Sequence, residues 1–550
     1  GAKRPLSALP TGRGSRVSAR RAWGSALSFQ PSKALGMTTV WVDNGSERGA
    51  HLAEEGHIAN LLVRPRDAFS AVHAALPAAP FTVSEAEIDR AVEIVEGVLT
   101  AGGMSMWYGE SNSGKTTLAE TMLFEAGLIN RRGTVENKNT VSDYHDVEHE
   151  RGNSIFATPL HTEWRNYKIN IIDTPGLDDF IGEIISSIRV ADTIVAVLNA
   201  QQGVEVGTEI IWNYIDKYQK PTLFVVNQID HLNAKFEESF KNIKNLVGNN
   251  AVKIQYPLVV DGAQCIIDIL KMKMYKFSPE GGKPEKLEIP KDQKEIANEL
   301  NNQLIEKAAE NDEALMELYF EKGTLNEDEM RVGIKAGMLN HELFPVFCVS
   351  ALNDMGTGRL MGFIDNVAPA AADLKPEQSI DGKEIKALKE NDTVLFVFKT
   401  VYQPNLGQIT FFKVMSGEVR LNDKLNNSRN GETEVINQLF IMDGKDRQPV
   451  TKLTVGDIGA TLKLKYTETN DTLASQKGPI SVKPIKFPPA RMKKAVFAVN
   501  TKDEEKLSEA LKKIHSQDPT AEISFSKEAK QLILSCQGDL HLATIDWTLK

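Results

Sequence analysis

The sequence predicts a multidomain chain. Its first large unit is α/β, a parallel sheet wrapped by helices with an inserted helix-rich segment, and it is followed by a β-barrel and then a small α+β module. Three observations predict this. The chain has 550 residues, too many for one ordinary hydrophobic core. From Met104 onward short apolar runs alternate with helical patterns, the signature of a helix-wrapped parallel sheet. Beyond a Pro- and Ala-rich linker near 368–376 the pattern turns to closely spaced strands. Composition sets the outer bounds. Hydrophobic residues at 41% and charged residues at 25% are the balance of a globular protein, neither fibrous nor disordered as a whole. The most apolar stretch, Thr193 to Leu198, is strand-sized, and no run reaches the length of about 18 apolar residues that a membrane span needs. Cys265, Cys348 and Cys536 lie far apart with no CxxC pair, so neither a zinc site nor a disulfide framework is expected and a reducing cytoplasm fits. A net charge of -10 argues against coating DNA or other nucleic acid by bulk positive charge, although local basic patches stay open.

In chain order, residues 1–42 hold seven Lys or Arg and no acidic residue. That composition resembles a transit peptide. A basic arm or fusion remnant is the preferred reading, because the chain starts with Gly and its later segments look bacterial. The segment Ala34 to Gly45 resembles the last strand of a haloacid dehalogenase-like hydrolase, but no DxD pair accompanies it and no hydrolase activity is inferred. Residues 84–99 read as an amphipathic helix with Ser84 as N-cap and Glu87 closing a capping box. This region, 1–103, is set apart as one of unclear origin.

The sheet strands are read at Ile169 to Ile172, Thr193 to Leu198, Thr222 to Val226 and Val346 to Val349, within a domain spanning 104–372. The strand expected before them, Met104 to Trp107, reads as a poor buried strand. An insert at about 255–340 is acidic and helical: between 291 and 331 twelve acidic side chains face five basic ones. A barrel is expected over 385–483, with strands at Val394 to Phe398, Ile409 to Val414 and Thr451 to Leu464, the last broken at Gly456 and Gly459. Phe396, Phe398, Phe411 and Phe412 read as its core. Lys399, Lys413, Arg420 and Lys424 are either solvent-facing charges or contacts for RNA phosphates. Residues 486–550 read strand, helix, two strands and a final helical start.

Four loops, each after a strand, carry the chemistry. Gly109, Glu110, Ser111, Asn112, Ser113, Gly114, Lys115 and Thr116, with Thr117 beside them, fit GxxxxGK[ST] residue for residue. Backbone amides there can turn onto phosphate oxygens, Lys115 can reach the β and γ phosphates, and the Thr116 hydroxyl can ligate Mg²⁺. Asp173, Thr174, Pro175 and Gly176 follow the next strand, where an aspartate can hold a metal-bound water and a glycine amide can sense the γ-phosphate. Asn227, Gln228 and Asp230 follow another, and Asp230 can accept from the guanine N1 and N2 donors, a pair that adenine lacks. Ser350, Ala351 and Leu352 can present an amide to the guanine O6. Each loop alone is made of ordinary turn residues. Their order along the chain, each at a strand end, carries the reading of a Mg²⁺-dependent GTP/GDP site. A competing motif, His145, Glu148 and His149 in an HxxEH pattern, matches a metalloprotease signature without its downstream ligand.

From about residue 108 to 550 the sequence resembles the translational GTPases, and within them the elongation factor G family. The resemblance rests on Glu148-His-Glu-Arg-Gly152, Asp173-Thr-Pro-Gly176, Gly203-Val-Glu-Val206, Gly407-Gln-Ile-Thr-Phe-Phe412, Val455-Gly-Asp-Ile458 and Gln537-Gly-Asp-Leu-His-Leu542. Gly133-Thr-Val-Glu136, Val141-Ser-Asp-Tyr144 and Pro345-Val-Phe-Cys348 look like the divergent second elongation factor G of Bacteroides-like bacteria. The resemblance implies an α/β P-loop GTPase domain with an inserted α-rich subdomain, a β-barrel second domain and a ferredoxin-like third domain. It also implies a cytoplasmic monomer acting on the ribosome, with the acidic insert able to dock the stalk protein. Departures qualify the implied mechanism. Leu177 stands where the family has the histidine that orients attacking water, so hydrolysis is expected to be slow or differently organised. Ser154 stands at the Mg²⁺-sensing threonine, and Gln228 replaces the lysine whose stem lies on the base. The expected activity is therefore that of a GTP-gated translation factor with weakened GTPase activity. The alternatives are a GTP-dependent ribosome-binding switch without significant hydrolysis, or a ribosome protection or recycling factor.

Overall fold

The computed structural model describes residues 26–32, 37–43 and 104–550, apart from 166, 279–281, 404–405, 476–479, 499–500, 529 and 550. The chain divides into two compact units, 1–99 and 100–550. In the first, Ala26–Ser32 and Met37–Asp43 pair antiparallel, Ala26 opposite Asp43. The helix expected at 84–99 lies outside the described residues.

The second unit begins with a seven-stranded sheet. Its strands are β1 (Met104–Gly109), β2 (Thr158–Trp164), β3 (Tyr167–Asp173), β4 (Thr193–Asn199), β5 (Thr222–Asn227), β6 (Ala251–Lys253) and β7 (Phe344–Cys348), in the spatial order β2-β3-β1-β4-β5-β7-β6. Only the β2–β3 pair is antiparallel. The helices that wrap it are α1 (Lys115–Glu125), α2 (Asp146–Arg151), α3 (Ile181–Val190), α4 (Val206–Lys217), α5 (Phe236–Val247) and, after the insert, α9 (Thr357–Asn366). β4 and β5 are buried at every position, as strands covered on both faces must be. The weakness expected of the first strand is corrected: β1 lies between β3 and β4, and Met106 and Tyr108 are 0% and 2% exposed. Parallel neighbours on both sides override its poor intrinsic propensity.

The insert differs from the helix-rich reading. Helices α6 (Lys294–Ala309), α7 (Glu313–Lys322) and α8 (Glu327–Leu339) are present, but a four-stranded antiparallel sheet (Gln255–Val260, Ala263–Asp268, Lys273–Lys276, Glu285–Leu287) precedes them. Its strands are short, and Lys and Glu interrupt the alternation, so periodicity did not mark them.

Next comes an eight-stranded antiparallel sheet in the order Thr433–Val435, Lys424–Asn427, Thr472–Ala474, Val394–Gln403, Gly407–Ser416, Ile458–Leu462, Phe440–Asp443, Asp446–Pro449. Its ladder does not close on itself among the described residues, since the first and last strands do not pair with each other. The break expected at Gly459 is also absent. That residue lies within a strand, and a Cβ there would come 2.8 Å from Phe412 Cζ. All four phenylalanines are buried, but Phe396, Phe398 and Phe411 join a cluster with Ile181, Ile184 and Ile188 of α3, whereas Phe412 packs within the eight-stranded sheet's own core. Lys399 and Lys413, considered as RNA contacts, are buried instead. Lys399 Nζ donates to the Ala157 carbonyl (2.9 Å) and Glu183 (2.6 Å), and Lys413 Nζ donates to the Val190 carbonyl (2.8 Å) and Asp192. They bind the eight-stranded sheet to the α/β domain.

The last module has strands Met492–Val496, Gln531–Cys536 and Glu522–Ser526 in that spatial order, with α10 (Glu504–Gln517) and α11 (Asp539–Leu549) packed on them.

Candidate functional site

β1 runs directly into the loop 109–114 and α1. Gly114 is the N-cap at φ +74°, a left-handed conformation suited to glycine. No side chain caps α1, so its first amides and the positive end of its dipole face outward, the arrangement that binds phosphate. Gly176 shows the closest approach between loops: a Cβ there would lie 2.5 Å from the Gly109 carbonyl and 2.7 Å from the Ser111 amide. The Asp173–Gly176 loop thus rests directly on the phosphate-type loop, and Thr174 and Pro175 are buried beside it.

At one end, oxygens converge around the lysine. Lys115 Nζ lies 2.8 Å from Ser154 Oγ and 3.2 Å from Asp173 Oδ1, and Thr116 Oγ1 donates to Asp173 Oδ2 at 3.0 Å and lies 3.4 Å from Ser154 Oγ. All four side chains are buried. Ser111 Oγ donates to Asn153 at 2.8 Å. Ser113 is buried with its hydroxyl unpartnered among the described residues, and the Thr117 carbonyl accepts the Thr121 hydroxyl.

At the other end, the structure gives Asn227 and Gln228 jobs different from base contact. Asn227 Nδ2 donates to the Ser113 carbonyl (2.8 Å), and its Oδ1 accepts the Ala351 amide (3.0 Å). Gln228 Nε2 donates to the Asn112 carbonyl (2.8 Å), which also accepts Asn199 Nδ2 (3.2 Å). These side chains bind three loops into one wall. Asp230 Oδ2 accepts Asn353 Nδ2 at 3.0 Å, while Oδ1 is buried and unpartnered among the described residues. Ser350 is buried, and Leu352 is 65% exposed.

Glu110 turns towards the start of α4, where the Thr208 amide bonds it, as does the Tyr108 hydroxyl. Burial, with Glu205 nearby, pushes its carboxyl up to about 7, because a carboxylate short of water is held less easily in its charged form. Leu177 belongs to an apolar cluster with Val147, Ile155, Phe156 and Phe180. It therefore ties the segment after Gly176 to the segment containing Ser154.

Two residues quoted in the sequence only as parts of motifs, Asp143 and Glu148, prove to stand beside the segment of Ser154. Asp143 is buried, bonds Ser154, and faces Lys115 and Asp173; burial pushes its carboxyl up to about 7 against the pull of Lys115. Glu148 is buried and accepts the Ile155 (2.9 Å) and Phe156 (3.1 Å) amides. Burial opposes its charge, yet His145 and those amides hold it below the ordinary carboxylate range. Their motifs placed them near Ser154 in the chain but did not assign them these partners. The HxxEH histidines do not converge: His145 bonds Glu148, and His149 bonds the Asp143 carbonyl.

The last module touches this region through its final helix. Asp179 accepts the Leu540 (2.7 Å) and His541 (3.3 Å) amides at the start of α11, and Arg151 donates to the Leu540 carbonyl (3.1 Å) and Thr544 Oγ1 (2.8 Å).

Known protein families match the chain in the same order of units. Residues 106–370 match the elongation factor Tu GTP binding domain, 392–476 match elongation factor G domain 2, and 487–550 match elongation factor G domain III. The matched domains are those of a translational GTPase. A crystal structure of a protein from Thermus thermophilus shares the fold, with a TM-score of 0.74 and 24% identity over 82% of this chain. The match covers 66% of that structure's own chain. A guanine nucleotide is implied by the GTP-binding domain, and the side chains present fit it. Asp230 keeps a buried acceptor without a donor among the described residues, and α1 begins uncapped. Hydroxyl and carboxylate oxygens of Thr116, Ser154 and Asp173 meet at one point, and such hard ligands suit Mg²⁺.

Proposed function

We propose that this chain is a GTP-gated translation factor of the elongation factor G type that binds the ribosome. The observation carrying this reading is the wall built by Asn227, which holds the 109–116 loop and the Ser350–Leu352 loop on one sheet edge beside Asp230. In this reading the loop amides and Lys115 hold the phosphates, and Thr116, Ser154 and Asp173 hold Mg²⁺. Asp230 and an amide of the Ser350–Leu352 loop read the guanine. The metal, when bound, neutralises phosphate charge. Asp143 orients the Ser154 hydroxyl, and Glu148 holds the segment 154–156 in place. The acidic helices α6–α8 offer a surface for the basic groups of a ribosomal stalk protein, and the working form is a cytoplasmic monomer.

The packing of Leu177 favours a second reading, in which nucleotide binding alone sets the conformation and hydrolysis is incidental. Leu177 lies in an apolar cluster, and an isobutyl group neither accepts a proton nor holds water. Single-turnover GTP hydrolysis with and without ribosomes separates the two. Strong stimulation by ribosomes supports the GTPase cycle, and a rate unmoved by ribosomes supports the switch, including a protection or recycling role.

A further inference from the structure

The loop Ser350–Leu352 is held from two sides. Asn227 Oδ1 takes the Ala351 amide. On the opposite side, the Ala351 carbonyl accepts both the Thr121 hydroxyl (2.9 Å) and Arg132 Nη1 (3.1 Å), and the Leu352 carbonyl accepts the same Nη1 at 3.0 Å. Arg132 follows α1 in sequence and is kept there by two contacts. Its guanidinium carbon lies 5.7 Å from the Phe124 ring centroid, and the next residue's amide, that of Gly133, donates to the buried Glu120 carboxylate at 2.8 Å. One arginine from the segment that follows the phosphate-binding helix therefore grips two consecutive carbonyls of the loop that faces Asp230.

Peptide planarity gives this grip a direction. In a trans peptide the C=O and the following N–H point opposite ways. Fixing the Ala351 carbonyl towards α1 therefore aims the Leu352 amide away from α1. The two flanking amides are already engaged, Ala351 by Asn227 and Asn353 by Ser350 Oγ at 3.2 Å. We infer that Arg132 is a positioning residue for base recognition, holding the Ala351 and Leu352 carbonyls so that the Leu352 amide is presented to the 6-oxo group of a purine. The inference rests on the guanine-nucleotide reading above and names the residue that sets its oxo-group selectivity. Arg132 need not touch the nucleotide, so its effect is confined to the base end. The phosphate end, held by Asn227 and by the uncapped α1, is left as it was.

The test compares wild type with Arg132→Ala and Arg132→Lys on three probes: GDP, ADP and inorganic pyrophosphate. Loss of a charged donor to two carbonyls is expected to weaken GDP about tenfold, leave pyrophosphate within about twofold, and so shrink the preference for GDP over ADP. Arg132→Lys, keeping one charged donor, recovers part of the GDP affinity. Hydrogen exchange on nucleotide-free protein adds a readout that does not depend on the ligand, with amides of 350–354 exchanging faster in Arg132→Ala. Equal losses for GDP and pyrophosphate would mark a general structural role and overturn the inference, as would unchanged GDP affinity with unchanged exchange. Wild-type protein binding ADP as tightly as GDP would instead overturn the guanine reading itself, whatever the variants did.

Discussion

Leu177 and Asp354 show how single side chains set the chemistry of this site. Leu177 fills an apolar contact between the segment after Gly176 and the segment of Ser154. Replacing it with histidine restores a proton-accepting group next to Gly176, and a positioned base is worth on the order of a hundredfold. Leu177→His is therefore expected to raise the single-turnover GTP hydrolysis rate in the presence of ribosomes by at least about tenfold. An unchanged rate would mean that the histidine cannot reach the reacting water. Asp354 sits at the end of the Ser350–Leu352 loop, where burial first, and the neighbouring Glu125 second, push its carboxyl from 3.8 up to about 7. A raised value means that the folded state binds the proton more tightly than the unfolded chain does. The resulting stability is complete below the unfolded value, near pH 4, and is lost as pH rises through about 7. Asn mimics the protonated acid and does not titrate. Melting temperatures of wild type should thus fall more steeply between pH 5 and 8 than those of Asp354→Asn, and parallel curves would refute the assignment.

Between elements, the contacts that matter cross domain boundaries, and these were the least legible in the sequence. Lys413 and Lys399 lie on strands whose charged residues pass for solvent-facing ones in a one-dimensional reading, yet both ammonium groups are buried against α3 and its flanks. Lys413→Met removes the ammonium that bonds the Asp192 carboxylate, which is 0% exposed, and breaking such a buried pair costs roughly 3–5 kcal/mol. Chemical denaturation would detect that loss, and a change under about 1 kcal/mol would show the pair to be replaceable. Asp179 caps α11 from another domain through the Leu540 and His541 amides. Asp179→Ala should cost about 1 kcal/mol and raise hydrogen exchange at the start of α11 while leaving α10 unaffected. Asp179 and Arg151, which make these contacts, flank the segments carrying Gly176 and Ser154. By contrast, β4 and β5 were plain in the sequence because apolar runs buried on both faces leave few alternatives. The four-stranded sheet of the insert was not, since its strands are short and partly exposed.

At the scale of the molecule, the sequence made the loops visible but not their mutual support. Lys115, Asp173 and Asp230 were legible because their motifs demand particular chemistry at particular strand ends. That Asn227 and Gln228 brace the phosphate loop, that Asp143 stands by Ser154, and that Arg132 grips Ala351 and Leu352 depend on contacts between residues from 11 to 220 positions apart. No local pattern reports such contacts. The same wall unites the account, because it brings Lys115 and Asp230 to one sheet edge. Equilibrium binding of labelled GTP against ATP, with and without Mg²⁺, tests this most directly. The account predicts that GTP binds at least about a hundredfold tighter than ATP, since Asp230 and the loop amide match guanine donors and acceptor that adenine lacks. It also predicts that GTP binding weakens when Mg²⁺ is removed. Equal affinity for the two nucleotides, or binding of neither, would contradict it.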